Sequence, residues 1–229
     1  MSVKIVAITQ PLLRRNPEHK NDVSLLSVDE FVAYVARVSN PTNQNNTLTA
    51  PKLLKYLTKH KHWSPFEMVH IVQEINTTRD IGRQILRHRS FSFQEFSQRY
   101  ANPTEMDFII REARLQDEKN RQNSIENDDY ELQMEWTYKQ ENVAYHSKEA
   151  YNWAIKNNIA KEQARVVLPE GLTSTRMYMS GLLRNWIHYC QLRMGVETQK
   201  EHRLIAKEAW ENVIVYFPSL KDIMEVNNE

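Results

Sequence analysis

The chain has 229 residues, 41% of them hydrophobic, which is enough for one sizeable core; one domain spanning 1–229 is the expectation. Thirty Lys and Arg against 29 Asp and Glu lack the basic excess of a general nucleic-acid binder, and Cys190, the single cysteine, leaves no intrachain disulfide or multi-thiolate metal site and suits a reducing compartment. Four glycines and eight prolines argue against a disordered chain, no apolar run reaches membrane-spanning length, and MSVKIVAITQ lacks a signal peptide's pattern, so a soluble cytoplasmic protein without membrane or nucleic-acid partners is expected.

Taken in chain order, VKIVAITQ reads as an opening strand. Ser27-x-x-Glu30 is a capping box, followed at helical spacing by Val28, Phe31, Val32 and Val35. Residues 41–47, PTNQNNT, form a loop; Thr49 is expected to cap a second helix, with Pro51 near its start and Leu53, Leu54 and Leu57 on one face. HWSPFE interrupts at 62–67, and the alternation of Val69, Ile71, Gln73 and Ile75 predicts a strand over 68–76. Thr78 then caps a predicted helix over 79–89, where Ile81 and Ile85 face the core and Gln84, Arg87 and His88 share a polar stripe.

Residues 106–115 read as a strand, 116–129 as an exposed polar segment, and about 128–156 as a long helix with Leu132, Trp136, Val143 and Ala154 at apolar positions. Pro169 ends a short helix after Arg165-Val-Val-Leu, TSTRMYM is extended, and helices over 180–194 and 198–215 close the chain. On the first of these, Leu183, Trp186, Ile187 and Cys190 make a core stripe beside a polar stripe of Arg184, His188 and Gln191. The class is α+β, helix-dominant, with a small mixed or antiparallel sheet.

The chemistry concentrates in RHRSFSFQEFSQRY, residues 87–100, where three arginines, a histidine and a glutamate stand among three phenylalanines. Guanidinium forks bind phosphate or carboxylate and stack on flat rings, while aromatics anchor a segment that presents its polar groups to one small ligand. Ser97 has no His–Asp pair in view to activate it and reads as a hydrogen-bonding serine. His62, His70 and His88 have poor spacing for a metal and no carboxylate partner, and no Gly-x-Gly-x-x-Gly turn is present. Two readings stay open on these residues: an enzyme site for an anionic, flat-ring ligand, or an Arg-rich RNA-binding module that contacts phosphates and stacks on bases.

Arg87-His88-Arg89 followed after seven residues by Ser97, and then Gln98-Arg99-Tyr100, resembles the signature of the flavin-dependent thymidylate synthases. Glu95 falls where that family has Glu. His62-x-Ser64-Pro65-x-Glu67 resembles its upstream flavin segment and Arg37-Val38-Ser39 an early helix end. Arg165-x-x-Leu168-Pro169 and Arg184-x-x-x-His188-x-x-x-x-Arg193 are similar to its C-terminal pair, so the match runs from about 28 to 215. Gln94 and Met68 depart from the family's usual Asn and His, and Leu182 stands where some relatives have a polar residue.

The resemblance implies methylation of dUMP at uracil C5, with methylenetetrahydrofolate as carbon donor and NADPH as reductant through tightly bound FAD, in a homotetramer with shared sites. It places Ser39, His62, Ser64, Glu67, Arg87, His88, Arg89, Glu95, Arg184 and His188 at the cofactor. At the nucleotide it places Gln84, Arg87, Glu95, Ser97, Gln98, Arg99, Arg165 and Arg193, with Arg193 as the catalytic residue beside the uracil edge. A flavoprotein of the same fold acting on another pyrimidine is the nearer rival.

Overall fold

The computed structural model describes residues 1–16, 23–102 and 107–224. Strand β1 (Ser2–Ile8) is followed by helix α1 (Val28–Ala36), whose Ser27 and Glu30 exchange side chain-to-backbone hydrogen bonds in the expected capping box. Helix α2 (Ala50–Lys59) and a 3-10 turn (Ser64–Met68) lead into β2 (His70–Thr78) and helix α3 (Arg79–Ile85). After β3 (Ser92–Glu95) come a two-residue ribbon, β4 (Leu115–Gln116) with β5 (Ser124–Ile125), and helix α4 (Tyr130–Lys156). Helix α5 (Lys161–Ala164), strand β6 (Ser174–Leu182), α6 (Leu183–Arg193) and α7 (Lys200–Tyr216) complete the order.

The main sheet is antiparallel throughout, with strand order β1-β2-β6-β3. Along β6, Thr175, Met177, Met179 and Gly181 are buried while residues between them are more exposed, the period of two expected of a half-covered strand. Met177, Met179, Ile71 and Ile75 join Trp186 and Ile187 of α6, Ile205 and Ala209 of α7, and Leu54 of α2 in one core. The stripe of Leu183, Trp186, Ile187 and Cys190 is wholly inside. No helix among the described residues is long and apolar enough to cross a membrane.

Several elements differ from expectation. The helix predicted over 79–89 stops at Ile85, and Arg87, His88 and Arg89 lie in the turn beyond it, so no helical stripe runs from Gln84 through them. The chain must reverse there because β3 returns along β6, with Ser92 opposite Ser180. Gly181 makes room for the reversal: a Cβ there would come within 2.5 Å of the Phe91 ring. Phe91 instead lies over the strand, edge to face with Trp186 at 4.9 Å, and Asn185 donates to the Ser90 carbonyl at 2.7 Å.

The strand predicted over 106–115 is extended but nearly unpaired: Met106 lies outside the described residues, and Phe108 makes one isolated bridge to Thr173. Two glutamines of α4 replace a partner strand. Gln140 exchanges hydrogen bonds with the backbone of Arg111 at 2.9 and 2.7 Å, and Gln133 does so with Ala113 at 2.8 and 2.9 Å. Being seven residues apart, they sit two turns apart on one face of the helix. The apolar positions expected to anchor α4 are largely exposed, Leu132, Trp136 and Val143 among them; its buried residues are Gln140, Ala144, Tyr151 and Ala154.

The caps at Thr49 and Thr78 also differ. Thr49 Oγ1 accepts from Arg37 at 2.7 Å, and Thr78 donates to Asp80 at 2.6 Å, so neither hydroxyl caps its helix. Residues 180–182 finish β6, paired through to His70, and α6 begins only at Leu183.

Candidate active site

Most of the side chains singled out in the sequence gather in three groups. The first lies where the turn after α3 meets the end of α6 and the start of α7. Arg193 Nε donates to His88 Nε2 at 2.8 Å. Burial, helped by the Arg193 charge, pushes the His88 pKa down to about 4, so the imidazole is neutral and accepts through Nε2.

Behind this pair Tyr189 stands edge-on to His88, 4.9 Å between ring centres, and its hydroxyl meets His202 Nε2 at 3.1 Å. His202 Nδ1 meets Gln84 Oε1 at 3.2 Å, and Gln84 Nε2 donates to Gln199 Oε1 at 2.8 Å. Gln199 donates to Glu201 at 2.8 Å, and Arg114 closes the chain on the other carboxylate oxygen at 2.7 Å. The directions are mutually consistent: with Gln84 donating to Gln199, its oxygen accepts from His202, which leaves Nε2 to accept from Tyr189. Burial, with Arg193 and His88 adding to it, pushes His202 down to about 3. A fully linked buried network of this kind fixes its members' orientations.

In the second group Glu67 pairs with Arg184, and His188 stands edge-on to Trp63 at 4.7 Å. Burial and then the Arg184 charge lower the His188 pKa. Arg184 Nε is buried without a hydrogen-bond partner among the described residues. His62 and Ser64 are exposed on the same segment, where the His62 amide donates to the Leu57 carbonyl at 2.8 Å. A cavity of about 710 Å³ opens beside Trp63 and His188.

The third group surrounds β3 and α5. Glu95 accepts from Thr175 at 2.9 Å and faces Arg79 at 3.4 Å. Ser97 heads a turn in which its oxygens accept from the Arg99 and Tyr100 amides. Arg99 Nε lies 3.7 Å from the Glu162 carboxylate, and Arg165 Nε donates to the Glu162 carbonyl at 3.3 Å. Gln98 is buried with Nε2 unpartnered among the described residues, and it lines a cavity of about 380 Å³ with Arg79, Arg83 and Arg165.

Three predicted residues stand apart. Arg87 and Arg89 are exposed on the turn, and Ser39 lines a separate cavity of about 450 Å³. Tyr189, Gln199, Glu201 and His202 were not singled out by sequence reasoning, because Tyr189 and His202 sit on buried helix faces and pass for core. The available signal was the polar run TQKEH at 198–202, which enters α7 on the face that Ile205 and Ala209 then bury.

A neutral imidazole holding one side of a guanidinium and, apart from it, two exposed arginines on a turn and a buried guanidinium nitrogen without a partner among the described residues are groups of the kind that take an anionic ligand. Trp63 and His188 add ring surfaces beside a cavity. The donor set fits a diphosphate-bearing, flat-ring cofactor such as FAD.

The family model for thymidylate synthase complementing protein matches residues 24–219, and the chain belongs to that family. It is 45% identical over 225 residues to a probable flavin-dependent thymidylate synthase of Paramecium bursaria Chlorella virus 1, covering 98% of this chain and 99% of that one. It is 44% identical to the flavin-dependent thymidylate synthase of Synechocystis sp., covering 98% and 100%. The fold matches the UMP/dUMP methylase PolB from Streptomyces cacaoi, crystallised with 5-Br dUMP, at a TM-score of 0.78 and 22% identity over 98% of this chain and 94% of that one.

Proposed function

We propose that the chain is a flavin-dependent thymidylate synthase, with 1–229 as one catalytic domain acting in the cytoplasm on dUMP, methylenetetrahydrofolate and NADPH. The name shared by relatives that match end to end supports the activity. The observation that carries the site is the Arg193–His88 pair: a guanidinium oriented through Nε by a neutral ring, with no carboxylate partner among the described residues.

In this reading Arg193 faces the uracil edge, where its planar fork favours ionised N3 and stabilises charge developing at O2 or O4. Ser97 and its turn amides, with Arg99 and Arg165, take the 5′-phosphate; Gln98 and the free valences of Gln84 serve the nucleotide's remaining polar atoms. Glu95, already held by Thr175 and Arg79, keeps the loop before Ser97 in place and reaches both ligands. Arg87, Arg89, His88, Ser39, His62, Ser64, Glu67, Arg184 and His188 hold FAD. When bound, FAD supplies the electrons that turn a transferred methylene into a methyl group. Cys190 takes no part: it is fully buried, and burial pushes its thiol pKa up.

The three groups are not joined by any hydrogen bond or ion pair among the described residues, which suits a site completed by a neighbouring subunit. Exposed Met134, Trp136, Tyr138, Tyr145 and Trp153 along α4 supply apolar surface for the homotetramer. The RNA-binding reading is not favoured, because Arg193 and Arg184 are folded into partly buried contacts. The test is dTMP formation from dUMP, methylenetetrahydrofolate, FAD and NADPH, omitting each in turn. Turnover that survives omission of FAD from flavin-stripped protein would sink the proposal.

A further inference from the structure

We propose that Glu201 is a positioning residue for the nucleotide site: its buried carboxylate, paired with Arg114, sets the direction of the hydrogen-bond chain through Gln199 and so decides which end of the Gln84 carboxamide faces the nucleotide. The direction of the chain rests on geometry alone; that Gln84 meets a nucleotide rests on the functional reading above.

The middle of the chain can run either way. An amide's oxygen and nitrogen ends are alike in shape, so Gln199 and Gln84 can each be turned over, and a neutral imidazole carries its proton on either nitrogen. The Tyr189 hydroxyl, at one end, both donates and accepts and imposes nothing. The other end is one-way. Arg114 only donates and an ionised carboxylate only accepts, so their 2.7 Å contact has one sense, and the 2.8 Å contact between Gln199 and Glu201 must come from the amide nitrogen. Gln199 then turns its oxygen to Gln84 at 2.8 Å, Gln84 turns its oxygen to His202 Nδ1 at 3.2 Å, and His202 Nε2 accepts from Tyr189 at 3.1 Å.

Glu201 is placed to impose that sense. Its side chain is 6% exposed and that of Arg114 12%, and Glu112 holds another nitrogen of the same guanidinium at 2.9 Å. Burial would raise the Glu201 pKa, but the hydrogen bonds it accepts, from its own backbone, Gln199 and Arg114, hold it below the ordinary value, so it is ionised at neutral pH. His202 is neutral, burial having pushed its pKa down to about 3, so a single ring nitrogen carries a proton. Gln84 is only partly buried. Each of its amide atoms uses one valence inside the chain, which leaves an N–H on the Gln199 side and a lone pair on the His202 side for a ligand. Turned over, Gln84 offers the reverse.

Reversal needs one atom. In Glu201→Gln, Arg114 still requires an oxygen, so the new amide nitrogen faces Gln199. Gln199 must then turn its oxygen to that nitrogen and its own nitrogen to Gln84. Gln84 in turn presents its nitrogen to His202 Nδ1, and the His202 proton moves to Nε2, which donates to Tyr189. Adding Gln199→Glu keeps the wild-type net charge and puts an acceptor-only group in front of Gln84. The original sense returns, although Arg114 no longer meets a carboxylate at position 201.

The experiment compares the full FAD-loaded wild type with Glu201→Gln and with Gln199→Glu/Glu201→Gln. Nitrogen NMR of isotope-labelled histidine reads the tautomer, with the His202 signals assigned by their loss in His202→Phe. The wild type should carry the His202 proton on Nδ1, the single variant on Nε2 and the double variant on Nδ1 again. Affinity for dUMP, by isothermal titration, should fall about tenfold in the single variant and return to within about twofold in the double variant. At saturating dUMP, kcat should stay within about twofold of wild type in both. The proposal is overturned if the wild type carries the proton on Nε2, a result that needs no variant to fold. It is equally overturned if Glu201→Gln leaves the tautomer unchanged, or if the tautomer inverts with dUMP affinity unchanged. A double variant as weak as the single would reduce Glu201 to a counter-ion of Arg114 and overturn it too. A wild type that binds no dUMP overturns the functional reading instead, while the tautomers still decide the direction of the chain.

Discussion

The Arg193 network and the arginine-bearing turn are built from the same residue types and end in opposite states. Around Arg193 the chain supplies the partners: His88 accepts from Arg193 and stands edge-on to Tyr189, and Tyr189, His202, Gln84, Gln199 and Glu201 occupy one another's hydrogen bonds. On the turn after α3, Arg87 and Arg89 stand exposed. The first region is oriented before any ligand arrives, as stabilisation of developing charge requires. In the proposed site the second leaves its cations for the cofactor to neutralise, so its expected contribution is to affinity and little to the fold.

The largest effect should follow from removing the oriented guanidinium. Arg193→Ala is expected to lower kcat by about 10²–10³, the scale of a lost charge-stabilising donor. Arg193→Lys should fail to restore it, because one ammonium cannot both meet His88 and offer a planar fork to the uracil. Near-wild-type turnover in the Lys variant would show that charge alone matters there.

Arg87→Ala tests the open region. Flavin affinity, read from absorbance after dilution, should fall by about 1.5–3 kcal/mol with the melting temperature of the flavin-free protein unchanged. A folded variant that keeps its flavin would remove Arg87 from the cofactor site. Mixing the inactive Arg87 and Arg193 variants should restore part of the activity by subunit exchange if the two residues reach one site from different chains. Sedimentation should give an assembly, and a fully active monomer would end the shared-site reading.

The two buried histidines should also show in the pH dependence of stability. His88 and His202 have folded pKa values of about 4 and about 3, below the usual 6.5, so the unfolded chain binds protons first. Their stability contribution is therefore complete above pH 6.5 and drains away as pH falls toward those values, about 1–3 kcal/mol per group. Denaturant midpoints between pH 7 and 4 should decline, and His202→Phe should flatten the decline. Cys190→Ala should cost about 1 kcal/mol of packing and leave dTMP formation nearly intact. A folded, yellow, inactive Cys190 variant would assign the thiol a chemical role.

Elements built by local chemistry were legible in the sequence. The capping box at Ser27, the alternation around Ile71 and the stripe from Leu183 to Cys190 depend on neighbours within a few residues; the first and last stand as read, and the strand is present but shifted to His70–Thr78. What failed depends on distant partners. The helix at 79–89 is cut short by a strand pairing with β6 and by the space at Gly181, ninety residues on. The extended segment near Arg111 is satisfied by side chains of α4, and α4 exposes apolar positions that helical spacing assigns to a core. In the site, motif spacing located Arg193 and His88 but not their hydrogen bond, and His202 was hidden because a polar side chain on a buried helix face looks like core until its partners are seen.

The most direct test of the functional account is dTMP produced by purified, flavin-stripped protein given dUMP, methylenetetrahydrofolate and NADPH, before and after FAD is added. The account predicts none before and catalytic turnover after. Equal dTMP in both samples, or none in either from a folded protein that has taken up FAD, would contradict it.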